Sequence, residues 1–365
     1  MHIFPALLTL LPAVLLACAQ IGTPTQDFLS GSPLIISAYP TATTTNTNSP
    51  GAPTGKVFKY FLQIWLENAD YSKVVTLSQY QSVASQGILL TNYNAITHPS
   101  EPNYVAAVAG SNLGVIDDNY YDIPANITTI FDLLEAQGLT WKSYQEQIPA
   151  SGWTGYSANN GAYVRKHDPA IIFDSISLNQ TRSANVVSAA VFQANVAQNN
   201  MPAYSFYTPN ITNDGHDTTA SFAGTWLDGF LNTYIYNATF YQDALILITF
   251  DENGSTNKRN QVWGCLLGGA VPASLKGTTD NTFYTHYSAL RTVELNWGLG
   301  SLGRGDANAT LSNVFAFAAP ALGYTNVQVT NIPLMNAAIP GLMTDCSYNY
   351  TSASGTANCA VPIVT

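Results

Sequence analysis

Basic residues are nearly missing from this sequence: 12 of 365 are Lys or Arg, against 22 Asp or Glu, for a net charge of −10. With no basic field to grip a phosphate backbone, nucleic-acid binding is excluded. Charge of either sign is scarce, 9% of the chain where a soluble domain ordinarily carries ~25%. Asn, Gln, Ser and Thr must therefore supply the polar surface, and such a surface keeps its character as pH falls. Long apolar runs are missing beyond residue 17, so no spanning helix is expected after it. Core-forming residues are abundant, with six Trp, 21 Tyr and 15 Phe in a chain that is 46% hydrophobic, which argues against disorder.

The one apolar run, IFPALLTLLPAVLLA at residues 3–17, is too short to span a bilayer and contains Pro5 and Pro12. Ala17-Cys18-Ala19 follows as a small-x-small cleavage pattern, so residues 1–19 read as a signal peptide and the protein as secreted, to the extracellular space or cell wall. Seven Asn-x-Ser/Thr sequons fit that route. Asn126, Asn237, Asn308 and Asn349 are the expected glycan carriers; Asn210 and Asn253 are expected to stay bare because they fall inside polar clusters that read as a site. Asn179 is the seventh. Cys346 and Cys359 are the expected disulfide and Cys265, in VWGCLLGGAV, a buried thiol. Residues 20–56 end in a Thr/Pro-rich linker, leaving 57–365 as one domain with a disulfide-containing tail. No stable membrane anchor is expected.

From Val57 onward strand-like blocks (KVFKYFLQIWL, GILLTNY, TWKSYQ, AYSFYT, ALILITF, QVWGCLLGG) are interspersed with helix-like ones (TTIFDLLEAQ, SANVVSAAVFQANVAQ, FAGTWLDGFLNTY, YSALRTVELNWGL). That pattern predicts an α/β fold, a mostly parallel sheet covered on both faces. Ligands of such sheets collect beyond the carboxyl ends of the strands, and the polar clusters fall there: Glu67-Asn68-Ala69-Asp70 after QIWL, Asp251-Glu252-Asn253 after ALILITF, and Asn213-Asp214-Gly215-His216-Asp217 after AYSFYT. Adjacent acids are costly in a chain with so few cations, and a divalent metal site explains them. An oxygen-rich ligand set favours Mg, Ca or Mn, with Zn or Fe as alternatives. Arg165, Lys166 and His167 in YVRKHDPA are cations suited to substrate phosphate, Lys166 and His167 above all. Arg291 is expected to pair with Glu294 three residues on.

WLENADY, THPSEPNYVAAVAGS, YVRKHDPA, TPNITNDGHDT, ITFDEN and YTHYSALRTVELNWGLG, in this order between Phe58 and Leu299, resemble the phosphoesterase family of fungal acid phosphatases, related to bacterial acid phosphatases and phospholipases C. The resemblance implies an alkaline-phosphatase-like, three-layer α/β/α sandwich and hydrolysis of small phosphate monoesters. It further implies Glu67, Asn68, Asp251 and Glu252 as metal ligands and Ser100, 33 residues after Glu67, as the nucleophile that becomes phosphoserine, with Thr97 as the alternative. Asn103 would donate to a phosphoryl oxygen, and His216 or His286 would protonate the leaving group or bind phosphate. A phospholipase C type diesterase and a non-catalytic wall glycoprotein that keeps the fold are the competing readings.

Overall fold

The structure, a computed structural model, describes residues 54–347. The signal-peptide reading of residues 1–19, most of the linker, Asn349 and the Cys359 half of the expected disulfide lie outside the described residues. The strands are β1 (Tyr60–Leu66), β2 (Ile88–Asn94), β3 (Trp141–Gln145), β4 (Ser157–Ala158), β5 (Tyr163–Val164), β6 (Val186–Ser188), β7 (Tyr204–Thr208), β8 (Ala244–Phe250), β9 (Gln261–Leu267), β10 (Thr278–Asp280) and β11 (Tyr284–Thr285). The six helices that matter here are α1 (Ser78–Ser85), α2 (Ser100–Ala109), α3 (Ile130–Ala136), α4 (Ala189–Ala197), α5 (Ala220–Phe230) and α6 (His286–Trp297).

One sheet runs β10-β2-β9-β8-β1-β7-β3-β6, with β11 beside β2 and β4-β5 forming a separate ribbon. The central strands are buried along their whole length, as expected of parallel strands covered on both faces. The sheet is mostly parallel; β9 is antiparallel to both β8 and β2. Part of the helix-like SANVVSAAVFQ is instead strand: Val186–Ser188 pairs with β3 and the helix begins only at Ala189. The β-branched Val186-Val187 pair suits an edge strand, a preference hidden by the apolar helical period that follows it.

Three layers follow from which rings touch. Trp65 faces Tyr104 of α2 and the His286 ring at the start of α6, and Tyr204, in register with Phe61, meets Phe131 of α3. These three helices cover one face. On the other, Tyr80 of α1 packs on Phe250, which is in register with Leu66. Phe192 of α4 and Phe230 of α5 both pack on Tyr207, in register with Ile64. The small residues of α2 allow it to be buried throughout, and it ends at Gly110, whose left-handed φ of 69° and approach to Asp306 leave no room for a Cβ.

Sequons divide by burial. Asn126, Asn179, Asn237 and Asn308 are exposed. Asn253 is 4% exposed and its Nδ2 donates to the Arg259 carbonyl at 2.5 Å, while Asn210 Nδ2 donates to Glu146 at 2.8 Å. Cys265 is buried, and burial pushes its thiol pKa up.

Candidate active site

Strand register brings the acids together. β1 and β8 run parallel with Leu66 beside Phe250, so the next residue on each, Glu67 and Asp251, leave the sheet side by side. Asp251 N–H donates to the Leu66 carbonyl at 3.0 Å, and Glu67 N–H donates to the Asp214 carbonyl at 3.0 Å, which pins the loop after β7 to the same point. Asn68 takes a positive φ of 48°, a conformation Asn tolerates, and its N–H donates to Asp251 Oδ1 at 3.2 Å. Its side chain is exposed, so it meets the cluster through its backbone.

Glu67 is the centre. Its Oε2 accepts from Ser100 Oγ at 3.1 Å, its Oε1 accepts from the Tyr104 hydroxyl, and His167 Nε2 lies 3.4 Å from Oε1. Ser100 and Tyr104 are one helical turn apart on α2 and so share a face. His167 stacks on Tyr104 at 5.1 Å and puts Nδ1 3.6 Å from Asp214 Oδ2. Glu67, His167 and Asp214 each offer a donor atom within 4.8 Å of the others. Two full charges at that spacing repel by roughly 3–4 kcal/mol at an effective dielectric near 20. Burial, then the charges of Asp251 and Asp214, hold the Glu67 carboxyl well above its usual range. Burial raises Asp214 and Asp251 too, with Glu252 adding to the rise at Asp251. Glu252 is pushed up to about 8 by burial and by Asp118. Burial drives His167 the other way, toward the neutral imidazole.

Asp251 Oδ2 and Asp214 Oδ2 are buried without a hydrogen-bond partner, whereas Glu252 Oε2 faces His98 Nδ1. Glu67, His167 and Asp214, all buried, are placed so that together they could hold a metal ion. Of the ligands expected from the sequence only Glu67 is in this group; Asp214 joins it and His167, read from the sequence as a phosphate contact, lies among the donors, while Asn68, Asp251 and Glu252 fall outside it.

The other expected residues divide. Lys166 Nζ is 2.8 Å from Asp118; burial opposes its charge, but Asp118 and Glu67 outweigh that and hold its pKa above the ordinary value. His216 lies at the solvent side, its Nδ1 2.8 Å from Asp217 and its ring 5.9 Å from that of His167. Glu252 faces His98, whose Nδ1 is 2.6 Å from Oε2. Thr97 Oγ1 donates to the carbonyls of Ala337 and His98, leaving Ser100 as the hydroxyl of this loop that is bonded to the acids. Asn103 departs from its expected part. Its Oδ1 accepts from the N–H groups of Ile96 and Thr97, and its two amide hydrogens go to the carbonyls of Thr97 and Pro99. No donor remains for a phosphoryl oxygen, and Asn103 clamps the Ser100 loop instead. His286 departs likewise. Its Nε2 is 2.7 Å from the Asp251 carbonyl, which can only accept, so Nε2 carries the proton and Nδ1 accepts from the Tyr93 hydroxyl at 3.4 Å. Burial lowers its pKa to about 4, and it braces the Asp251 backbone from behind. Arg165 is structural, bonded to Asp122 and stacked on Tyr120; Arg291 pairs with Glu294 at 2.9 Å, as its spacing predicts.

Tyr104, Asp118 and Asp214 were not singled out by sequence. The i, i+4 spacing of Ser100 and Tyr104 was a usable signal for the first; for Asp214, nothing in NDGHD says which acid turns inward.

Residues 63–300 match the Phosphoesterase family. An acid phosphatase of Aspergillus fumigatus is 42% identical over 353 residues, covering 94% of this chain and 77% of its own. A probable acid phosphatase of Kluyveromyces lactis is 44% identical over 308 residues, 83% of this chain and 72% of its own. A phosphatidylinositol-3-phosphatase of Mycobacterium tuberculosis is 31% identical over 222 residues, 61% of this chain and 70% of its own. Among solved structures, a putative sulfatase from Bacteroides thetaiotaomicron shares the fold at a TM-score of 0.50 and 10% identity, over 74% of this chain and 76% of that one.

Proposed function

The chain belongs to the Phosphoesterase family, and from that premise we propose that it is a secreted acid phosphatase which hydrolyses small phosphate monoesters through a phosphoserine at Ser100. The observation that carries this reading is the bond from Ser100 Oγ to Glu67 Oε2 at 3.1 Å, at the N-terminus of α2 and near Asp214 and Asp251, each with one buried oxygen that has no partner. Glu67 holds the Ser100 proton as Oγ attacks phosphorus and the ester P–O bond breaks. The partial positive charge at the start of α2 and the Lys166 ammonium favour the anionic phosphoryl group there. His216, its ring oriented by Asp217 through Nδ1, gives a proton to the departing alcohol from Nε2. Water then attacks the phosphoserine, which releases phosphate and restores Ser100.

A divalent cation held by Glu67, Asp214 and His167, with Asp251 and Glu252 at its margin, would supply Lewis-acid charge compensation when bound.

The test is hydrolysis of p-nitrophenyl phosphate and of its bis-ester from pH 4 to 8, with and without chelator, for the wild type and Ser100→Ala. Monoester cleavage that is lost on chelation and in Ser100→Ala is expected. Full activity in Ser100→Ala would remove the proposed nucleophile. Preference for the bis-ester would favour the phospholipase C type reading, and inertness toward both esters the wall-glycoprotein one.

A further inference from the structure

Asn260 is fully buried immediately before β9, outside the acid cluster, and every polar group it owns is committed. Its Oδ1 accepts from the N–H of Asn253, the neighbour of Glu252, at 2.9 Å. One Nδ2 hydrogen goes to the carbonyl of Thr97, three residues before Ser100, at 2.7 Å. The other goes to the Met335 carbonyl at 3.1 Å. Its backbone N–H donates to Leu334 at 2.8 Å and its carbonyl accepts from Ala95 at 2.9 Å. An asparagine serving only its own turn would bond within residues 251–260. This one spans, in a single rigid amide plane, the loop that carries Asp251 and Glu252 and the loop that carries Ser100.

We propose that Asn260 is a positioning residue that fixes the spacing between the Ser100 loop and the Asp251-Glu252 loop. The inference rests on the reading of Ser100 as nucleophile. Thr97 is gripped from both sides, by Asn103 through two bonds and by Asn260 through one. Asn103 belongs to the same α2 unit as Ser100 and can hold only the local shape of the loop. Asn260 supplies the link from that unit to the acids. A shift of about 1 Å in such a link costs roughly 100-fold in rate with little effect on substrate affinity.

The experiment compares wild type, Ser100→Ala, Asn260→Asp and Asn260→Ala for kcat and KM on p-nitrophenyl phosphate, with melting temperatures. Asn260→Asp keeps the volume and the Oδ1 acceptor and removes both Nδ2 donors. Thr344→Val serves as the stability control: it removes the bonds of Thr344 Oγ1 to the Gly114 carbonyl and from the Gly341 N–H, neither of which involves the two loops. Expected are a kcat at least tenfold lower in both Asn260 variants with KM within about twofold, and a kcat within twofold of wild type in Thr344→Val even if its melting temperature falls. Should Asn260→Ala not fold, Asn260→Asp decides alone. A folded Asn260→Asp with kcat within twofold of wild type, or an equal loss in Thr344→Val, overturns the proposal. If Ser100→Ala is itself active, the failure lies in the nucleophile assignment and not in Asn260.

Discussion

Glu252→Gln separates the cost of the acid cluster from its use. Glu252 is 6% exposed, with His98 Nδ1 2.6 Å from its Oε2. Its carboxyl is raised from 4.5 to about 8 by burial and by Asp118, with Lys166 opposing. In metal-free protein the folded state therefore keeps a proton on Glu252 across this window while the unfolded chain has released it. The unfolded state binds fewer protons, so stability is fullest below pH 4.5 and falls as pH rises toward 8. Each pH unit is worth about 1.4 kcal/mol, a ceiling of ~4–5 kcal/mol over the window; relaxation at the solvent-facing edge brings the expected effect nearer 2 kcal/mol. Glutamine mimics the protonated form, since its amide can donate to His98 as the protonated carboxyl does. In the presence of chelator, wild type should lose about 4–8 °C more in melting temperature than Glu252→Gln between pH 5 and pH 8. Metal-loaded Glu252→Gln should be at least ~100-fold less active. Parallel melting profiles for the two proteins would refute the argument that this cluster is electrostatically strained until a cation is bound.

Tyr104→Phe removes a hydroxyl donor from the buried Glu67 carboxylate; a stability loss of about 1.5–3 kcal/mol in denaturant titration is expected, with weaker metal affinity, and an unchanged midpoint would count against the bond. Lys166→Met should lower kcat/KM on p-nitrophenyl phosphate by roughly 10–100-fold through loss of anion stabilisation, and a value within twofold of wild type would make Lys166 only the partner of Asp118. Glycopeptide mapping should find Asn253 unmodified, its amide being buried and bonded to Arg259; glycan there would contradict the packing of the Asp251 loop.

The sheet and most of its helices were legible because their signals are local. ALILITF and YFLQIWL are apolar runs of strand length, and Gly110 and Gly298 close the helices they follow. The reversal of β9 was not legible, since an apolar run carries no direction. In the site, Ser100 is named only through the family resemblance, whereas Glu67 and Asp251 stand out in the sequence as acids at strand ends. Asp214 and His167 do not, because their approach to Glu67 depends on how two separate loops fold back. Asn103 and His286 sit in the right motifs, but their polar atoms turn to backbone, a fact about orientation that residue type and spacing cannot carry. The sparse charge also changes meaning. A sparsely charged chain suggests stability indifferent to pH, yet several of its acids are concentrated in one buried cluster whose carboxyls are raised by burial, so the metal-free protein is expected to lose stability as pH rises.

The most direct measurement is acid quench of the metal-loaded enzyme during turnover of p-nitrophenyl phosphate, followed by peptide mass spectrometry. The account predicts a phosphoryl group on Ser100 in the peptide containing THPSEPNY, absent in Ser100→Ala. Phosphate on Thr97, or turnover with no phosphoenzyme under conditions where its hydrolysis limits the rate, would contradict it.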